Sequence, residues 1–265
     1  MPLITTASGP VDCAERGRGL PVLVLHGTPG GSDQALAAAR VLGVDGRVIA
    51  PSRPGYLDTP LSTGRTPAEQ ADAMVGLLDG LGVDSAVVLG VSGGGMAAVE
   101  LAVRHPTRVR GLVLWSAVTS PMRIWSGPLL HGPLAHRSTG TAVVRLARRF
   151  PGLLVGRAAH DQDAVEAALA LAETVFPIGP RRDGLANDTV QARSLDPDAT
   201  ARVTTPTLIV HGTKDRNVAY DQATRAARAI PHARLVTVPG ANHWTTSADA
   251  AAQDALGDFL ADHAH

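Results

Sequence analysis

The chain has 265 residues, 45% of them hydrophobic, with 24 Lys and Arg against 24 Asp and Glu and a single cysteine, Cys13. That length is enough to bury a large core in one α/β domain carrying an insertion. Zero net charge without a block of like charges argues against nucleic acid as a partner, and one cysteine excludes an intrachain disulfide. The longest weakly polar stretch, residues 85–99, is too short and too rich in glycine to span a bilayer. No basic segment followed by an apolar run opens the chain, so a cytoplasmic protein without membrane attachment is expected.

Cys13 falls in an expected N-terminal strand. Residues 21–25 then read as a continuous apolar strand, ended by His26-Gly27-Thr28-Pro29-Gly30-Gly31. A short helix is predicted over 34–42 and a short strand over 47–50. Thr66-Pro67-Ala68-Glu69 opens a further helix: Thr66 caps, Pro67 suits the first turn, and Glu69 completes a capping box. Its apolar face uses Ala71, Met74, Val75, Leu78 and Leu81. Next come a strand over 86–89, a helix over about 94–105 and a strand over 109–115. Pure apolar strands between amphipathic helices indicate an α/β fold with a mostly parallel sheet covered on both faces.

From about residue 116 to 204 the pattern changes. Pro and Gly punctuate 121–133, and helix spacing follows over 141–150 and 161–175 with no strand between them. Alternation resumes with strands over 207–210 and 235–238 and helices near 221–230 and 248–263. The economical organisation is a sheet core of residues 1–118 and 204–265, with a helical lid at 119–203 inserted between sheet strands. No internal repeat is visible.

The chemistry centres on Ser92, in Gly90-Val91-Ser92-Gly93-Gly94 directly after an apolar strand. Strand, Gly-x-Ser-x-Gly and helix together describe a nucleophile elbow, in which a tight turn holds the hydroxyl above the sheet. An acyl-transfer serine needs a base, and a carboxylate to orient that base. In an open parallel sheet both belong in loops after strand C-termini. Two such loops qualify, His211-Gly212-Thr213-Lys214-Asp215 and Pro239-Gly240-Ala241-Asn242-His243. They give the catalytic set Ser92, Asp215 and His243.

The chain has ten histidines, and most of the others are set aside by position. His263 and His265 are terminal, His105 suits a helix end, and His131, His136 and His160 belong to the insertion. The backbone N–H groups of Thr28 and Gly93 are the expected oxyanion donors, and His26 reads as a structural hydrogen-bonder. Trp115, Val118, Met122 and Trp125 are candidates for an apolar substrate pocket. Arg181 and Arg182 read as solvated surface. No metal site is expected, because His26 and His211 lack an accompanying ligand cluster.

These motifs, together with Ser52-Arg53-Pro54-Gly55-Tyr56, make the chain resemble a capped, lipase- and esterase-like α/β-hydrolase-fold enzyme over essentially its whole length. Ser52 departs from the resemblance, standing where relatives carry an acidic residue. The resemblance implies cofactor-independent, two-step acyl transfer on a small-molecule substrate through an acyl-enzyme at Ser92. A serine nucleophile sets the chain apart from epoxide hydrolases and haloalkane dehalogenases, which use aspartate. The His26–Gly31 loop also resembles that of prolyl aminopeptidases, whose elbow differs at Gly-Gly-Ser-Trp-Gly. A peptidase, a C–C bond hydrolase, a biosynthetic acyltransferase or cyclase, and a non-catalytic small-molecule receptor all remain open on this fold.

Overall fold

A computed structural model describes residues 3–124, 127 and 137–264. Among these residues eight strands form one sheet. They are β1 (Leu3–Thr6), β2 (Gly9–Arg16), β3 (Pro21–Leu25), β4 (Arg47–Pro51), β5 (Ala86–Val91), β6 (Val109–Trp115), β7 (Thr207–Gly212) and β8 (Arg234–Val238). Their spatial order is β1-β2-β4-β3-β5-β6-β7-β8. β2 pairs antiparallel with both β1 and β4, and every pairing from β4 to β8 is parallel. The edge hairpin made by β1 was not expected from its short Leu3-Ile4-Thr5-Thr6 sequence, which lacks an alternating face.

Strand periodicity divides the core in two, because successive side chains point to opposite faces. Val22, Val24, Val87, Leu89, Val113 and Val210 face helices α1 (Ser32–Val41) and α9 (Ala250–Asp262). Leu23, Leu25, Val88, Leu112, Leu114 and Ile209 face α2 (Pro67–Gly80), α3 (Gly95–Arg104) and α8 (Tyr220–Ala229). Both faces are therefore buried, which is why the strands read as unbroken apolar runs. The expected capping box forms at α2: Thr66 accepts from the N–H of Glu69, and Glu69 reaches back to the N–H of Thr66.

Between β6 and β7 the described residues are helical: α4 (Arg137–Arg149), α5 (Gly152–Val155), α6 (Gln162–Glu173) and α7 (Arg182–Gln191), with short 3₁₀ turns. α4 and α6 correspond to the predicted helices, whereas α5 and α7 had no clear periodicity. The loops that follow β3, β5, β6, β7 and β8 all lie at the C-terminal edge of the parallel sheet, where such folds gather functional groups.

Candidate active site

Ser92 follows β5 with φ 50°, left-handed backbone that is uncommon for a residue with a side chain. The turn around it leaves no room for neighbours with a Cβ. A Cβ on Gly94 would stand 2.1 Å from the carbonyl oxygen of Leu25, and one on Gly90 would stand 2.7 Å from the Cβ of Ala98. The Val118 N–H donates to the Ser92 carbonyl at 2.8 Å and ties the turn to the segment after β6.

His243, in the loop after β8, brings its Nε2 to 3.1 Å from Ser92 Oγ, and its Nδ1 lies 2.6 Å from Asp215 Oδ2. The carboxylate can only accept, so Nδ1 carries the proton and the Nε2 lone pair faces the serine hydroxyl. The Asp215 side chain is fully buried, and that burial pushes its pKa up. Hydrogen bonds from His211, from His243 and from the Val218 N–H outweigh burial and hold the carboxyl well below its usual value of 3.8. Its other oxygen accepts from the N–H groups of Asn217 at 2.8 Å and Val218 at 2.9 Å. Asp215 is thus an ionised acceptor fixed on both oxygens. His211 was expected only as part of this loop; its buried ring donates to the Val218 carbonyl at 2.9 Å, with Nε2 3.4 Å from Asp215.

Thr28 and Gly93 meet beside the serine. A Cβ on Gly93 would collide with the Thr28 side chain at 2.0 Å and would lie 3.4 Å from the Thr28 backbone nitrogen. Glycine after the serine therefore makes room for Thr28. Gly93 is the second residue of the helical turn Ser92–Gly94, whose first N–H groups have no partner within the helix.

The loop carrying Thr28 is held from the insertion, through residues that sequence reasoning missed. Asp188, on α7, receives Arg53 Nη2 at 2.6 Å and Nη1 at 3.0 Å, the Tyr56 hydroxyl at 2.5 Å and the Thr28 hydroxyl. Arg53 and Asp188 are each 1% exposed. Arg181, expected at the surface, is instead 2% exposed and pairs with Asp33 in the first turn of α1. Ser52, the departure noted above, donates to Asp12 Oδ2 at 2.6 Å, so β2 supplies a carboxylate beside that position. The one legible signal for this network was Arg53-Pro54-Gly55-Tyr56; nothing local marks Asp188, 135 positions away.

His26 is fully buried. Nδ1 donates to the Gly27 carbonyl at 2.7 Å, and Nε2 accepts the Arg53 N–H at 2.9 Å. Burial, then the nearby Arg53 charge, hold its pKa well below 6.5, so the folded protein keeps it neutral. The unfolded chain binds that proton more readily, and stability must fall as pH drops below 6.5. Denaturant unfolding at about pH 7.5 and about pH 5.5 should differ by at most roughly 1.4 kcal/mol from this group alone. His26→Asn should remove that increment. Asp215 has the opposite reference: its contribution is intact in this window and is lost only as pH falls below the usual 3.8.

A cavity of about 60 Å³ adjoins Ser92 and His243, walled by Trp115, Ser116, Trp244 and, from the insertion, Leu171 and Val175. A larger groove of about 680 Å³ touches the other side of His243 but does not reach Ser92. Of the expected pocket residues, Trp115 lines the small cavity. Val118 and Met122 do not: they pack with Met96, Ala192 and Val218 in a separate apolar cluster, because the chain after Ser116 turns away beneath α7. Trp125 lies outside the described residues, as do His131 and His136. Among the described residues no group of three or more His, Cys, Asp or Glu is gathered to hold a metal ion, and no helix is long and apolar enough to cross a membrane.

A parallel sheet presenting a serine, an acid and a histidine from the ends of β5, β7 and β8 defines the class as a serine-hydrolase-like enzyme on the α/β-hydrolase fold. The chain belongs to the alpha/beta hydrolase family, which matches residues 22–254. It is 30% identical over 271 residues to a 2-hydroxymuconate semialdehyde hydrolase of Pseudomonas sp. (strain CF600), with 94% of this chain and 89% of that one covered. An alpha/beta hydrolase fold protein from Nakamurella multipartita superposes with a TM-score of 0.85 at 34% identity, covering 99% of each chain. A thermophilic esterase from Thermogutta terrifontis shares the fold with a TM-score of 0.70 at 24% identity, covering 100% of this chain and 99% of that one.

Proposed function

We propose that the protein hydrolyses a small carboxylic ester or related acyl bond through an acyl-enzyme on Ser92. The observation that carries this reading is the continuous chain Ser92 Oγ, His243, Asp215, with separations of 3.1 and 2.6 Å. His243 removes the serine proton as Oγ attacks the carbonyl, and buried Asp215 stabilises the imidazolium that forms. The backbone N–H groups of Thr28 and Gly93 receive the developing oxyanion. His243 then protonates the leaving group, and water repeats the sequence to release the acid. No step of this route calls for a cofactor. Residues 119–203 act as the lid, a role supported by Leu171 and Val175 reaching the cavity.

The small cavity favours a short acyl group. Across a p-nitrophenyl ester series, kcat/KM should peak at acetate to butyrate and fall at least about tenfold by octanoate, since each misfitted methylene carries a penalty of this order. A flat or rising profile would place the acyl chain elsewhere.

A second reading, hydrolysis of a C–C bond in a 2-hydroxymuconate semialdehyde-like compound, is supported by the relative that matches 94% of the chain. Turnover of that compound without turnover of any ester in the series would favour it.

A further inference from the structure

Among the described residues, every polar side chain that walls the cavity beside Ser92 is committed to a protein partner except the two indoles, of Trp115 and Trp244, and the hydroxyl of Ser116. Gln34 donates to the Pro29 carbonyl and accepts the Gly27 N–H. Thr28 is bonded to Asp188, Ser247 to the Trp244 carbonyl, and Ser92 to His243. Of these exceptions, the indole Nε1 of Trp115 and the hydroxyl of Ser116 are buried and have no hydrogen-bond partner among the described residues. Each residue is 2% exposed.

Unpaired buried polar atoms are rare in folded proteins, because leaving one unsatisfied forfeits its hydration with nothing in return. Two of them on consecutive residues that line a reaction cavity are available to an external partner. Their placement is fixed by the sheet. Trp115 ends β6 in register with Val91, the residue before the serine, and the Ser116 N–H donates to the Val210 carbonyl at 2.9 Å. Ser116 also has φ 45°, left-handed backbone for a residue with a side chain.

We infer that Trp115 Nε1 and Ser116 Oγ form a hydrogen-bonding subsite for an oxygen atom carried on the short acyl group of the substrate. An indole N–H only donates, so its partner is an acceptor; the serine hydroxyl serves either way. Among the described residues that wall this cavity there is no Lys, Arg, Asp or Glu. A carboxylate would enter it without a counter-ion, so the acceptor is a neutral keto, ether or hydroxyl oxygen. The substrate class is therefore an ester of a short oxo, alkoxy or hydroxy acid. This inference rests on the acyl-enzyme reading and narrows its substrate.

The test uses p-nitrophenyl methoxyacetate and p-nitrophenyl butyrate, equal in chain length and differing in one oxygen. Values of kcat/KM are divided by each ester's rate with hydroxide. The wild type should favour the methoxy ester by about tenfold or more, and Ser116→Ala and Trp115→Phe should each bring the ratio down towards unity. Equal normalised rates in the wild type, or a ratio that both variants retain, would overturn the subsite. A binding readout stands apart from turnover. In ¹⁵N-tryptophan-labelled Ser92→Ala protein, the indole signal assigned by its loss in Trp115→Phe should shift with methoxyacetamide and stay in place with butyramide. The same response to both amides would overturn the subsite even if no ester were hydrolysed, and absence of turnover alongside a selective shift would count against the acyl-enzyme reading instead.

Discussion

Replacing Ser92 with alanine should lower kcat/KM on short p-nitrophenyl esters by about 10⁴- to 10⁶-fold, the loss seen when a nucleophile is removed from a cooperating triad. Folding should be preserved. The left-handed backbone at position 92 is held by glycines at 90 and 94 that the substitution does not touch, and alanine fits where the serine Cβ already sits. Matching thermal unfolding curves would separate a chemical loss from a structural one. A large effect is expected because in the proposed mechanism Ser92 Oγ is the attacking atom, while His243 moves the proton and the other groups position and polarise. Turnover surviving within about tenfold would mean that water, or another side chain, attacks the carbonyl.

Asp188→Ala should cost about 3–5 kcal/mol of unfolding free energy, the range for removing one member of a buried ion pair. Arg53 would stay behind, 1% exposed, with its charge facing an empty place, and the hydroxyls of Tyr56 and Thr28 would lose their acceptor. Tyr56→Phe removes a single hydrogen bond to the same carboxylate and should cost less, about 1–3 kcal/mol. Because Asp188 also restrains Thr28, activity should fall in Asp188→Ala beyond any loss from unfolding. Denaturant titrations of the two variants beside wild type give the comparison. A cost below about 1 kcal/mol for Asp188→Ala would mean that water reaches the pair in solution.

The parts of the molecule that could be read in sequence share one property, which is that local pattern determines them. The strands at β3, β5, β6 and β7 are apolar on both faces because helices cover both. The turn at Ser92 announces itself because only glycine tolerates the approach of Leu25 and Ala98. Asp215 and His243 were located by the rule that functional loops follow parallel strands, and the structure brings His243 to the serine and Asp215 to His243.

What escaped was set by distant contacts. Helix α7, Arg-Asp-Gly-Leu-Ala-Asn-Asp-Thr-Val-Gln, has no apolar stripe, since it is fixed by the buried polar pair at Asp188 and not by a hydrophobic face. Arg181 looked solvated for the same reason: its partner, Asp33, is 148 positions away. Val118 and Met122 are apolar in an irregular segment, where composition does not say which way a side chain turns. Trp115 Nε1 and Ser116 Oγ could not be read as a pair in sequence, because only the folded cavity shows that no described residue bonds to either.

The central claim is a live nucleophile at Ser92, and the most direct measurement is fluorophosphonate labelling followed by peptide mapping. Wild-type protein should carry one adduct, on the peptide containing Ser92, and Ser92→Ala should carry none. Failure of the wild type to label, or an adduct that persists in Ser92→Ala, would contradict the account.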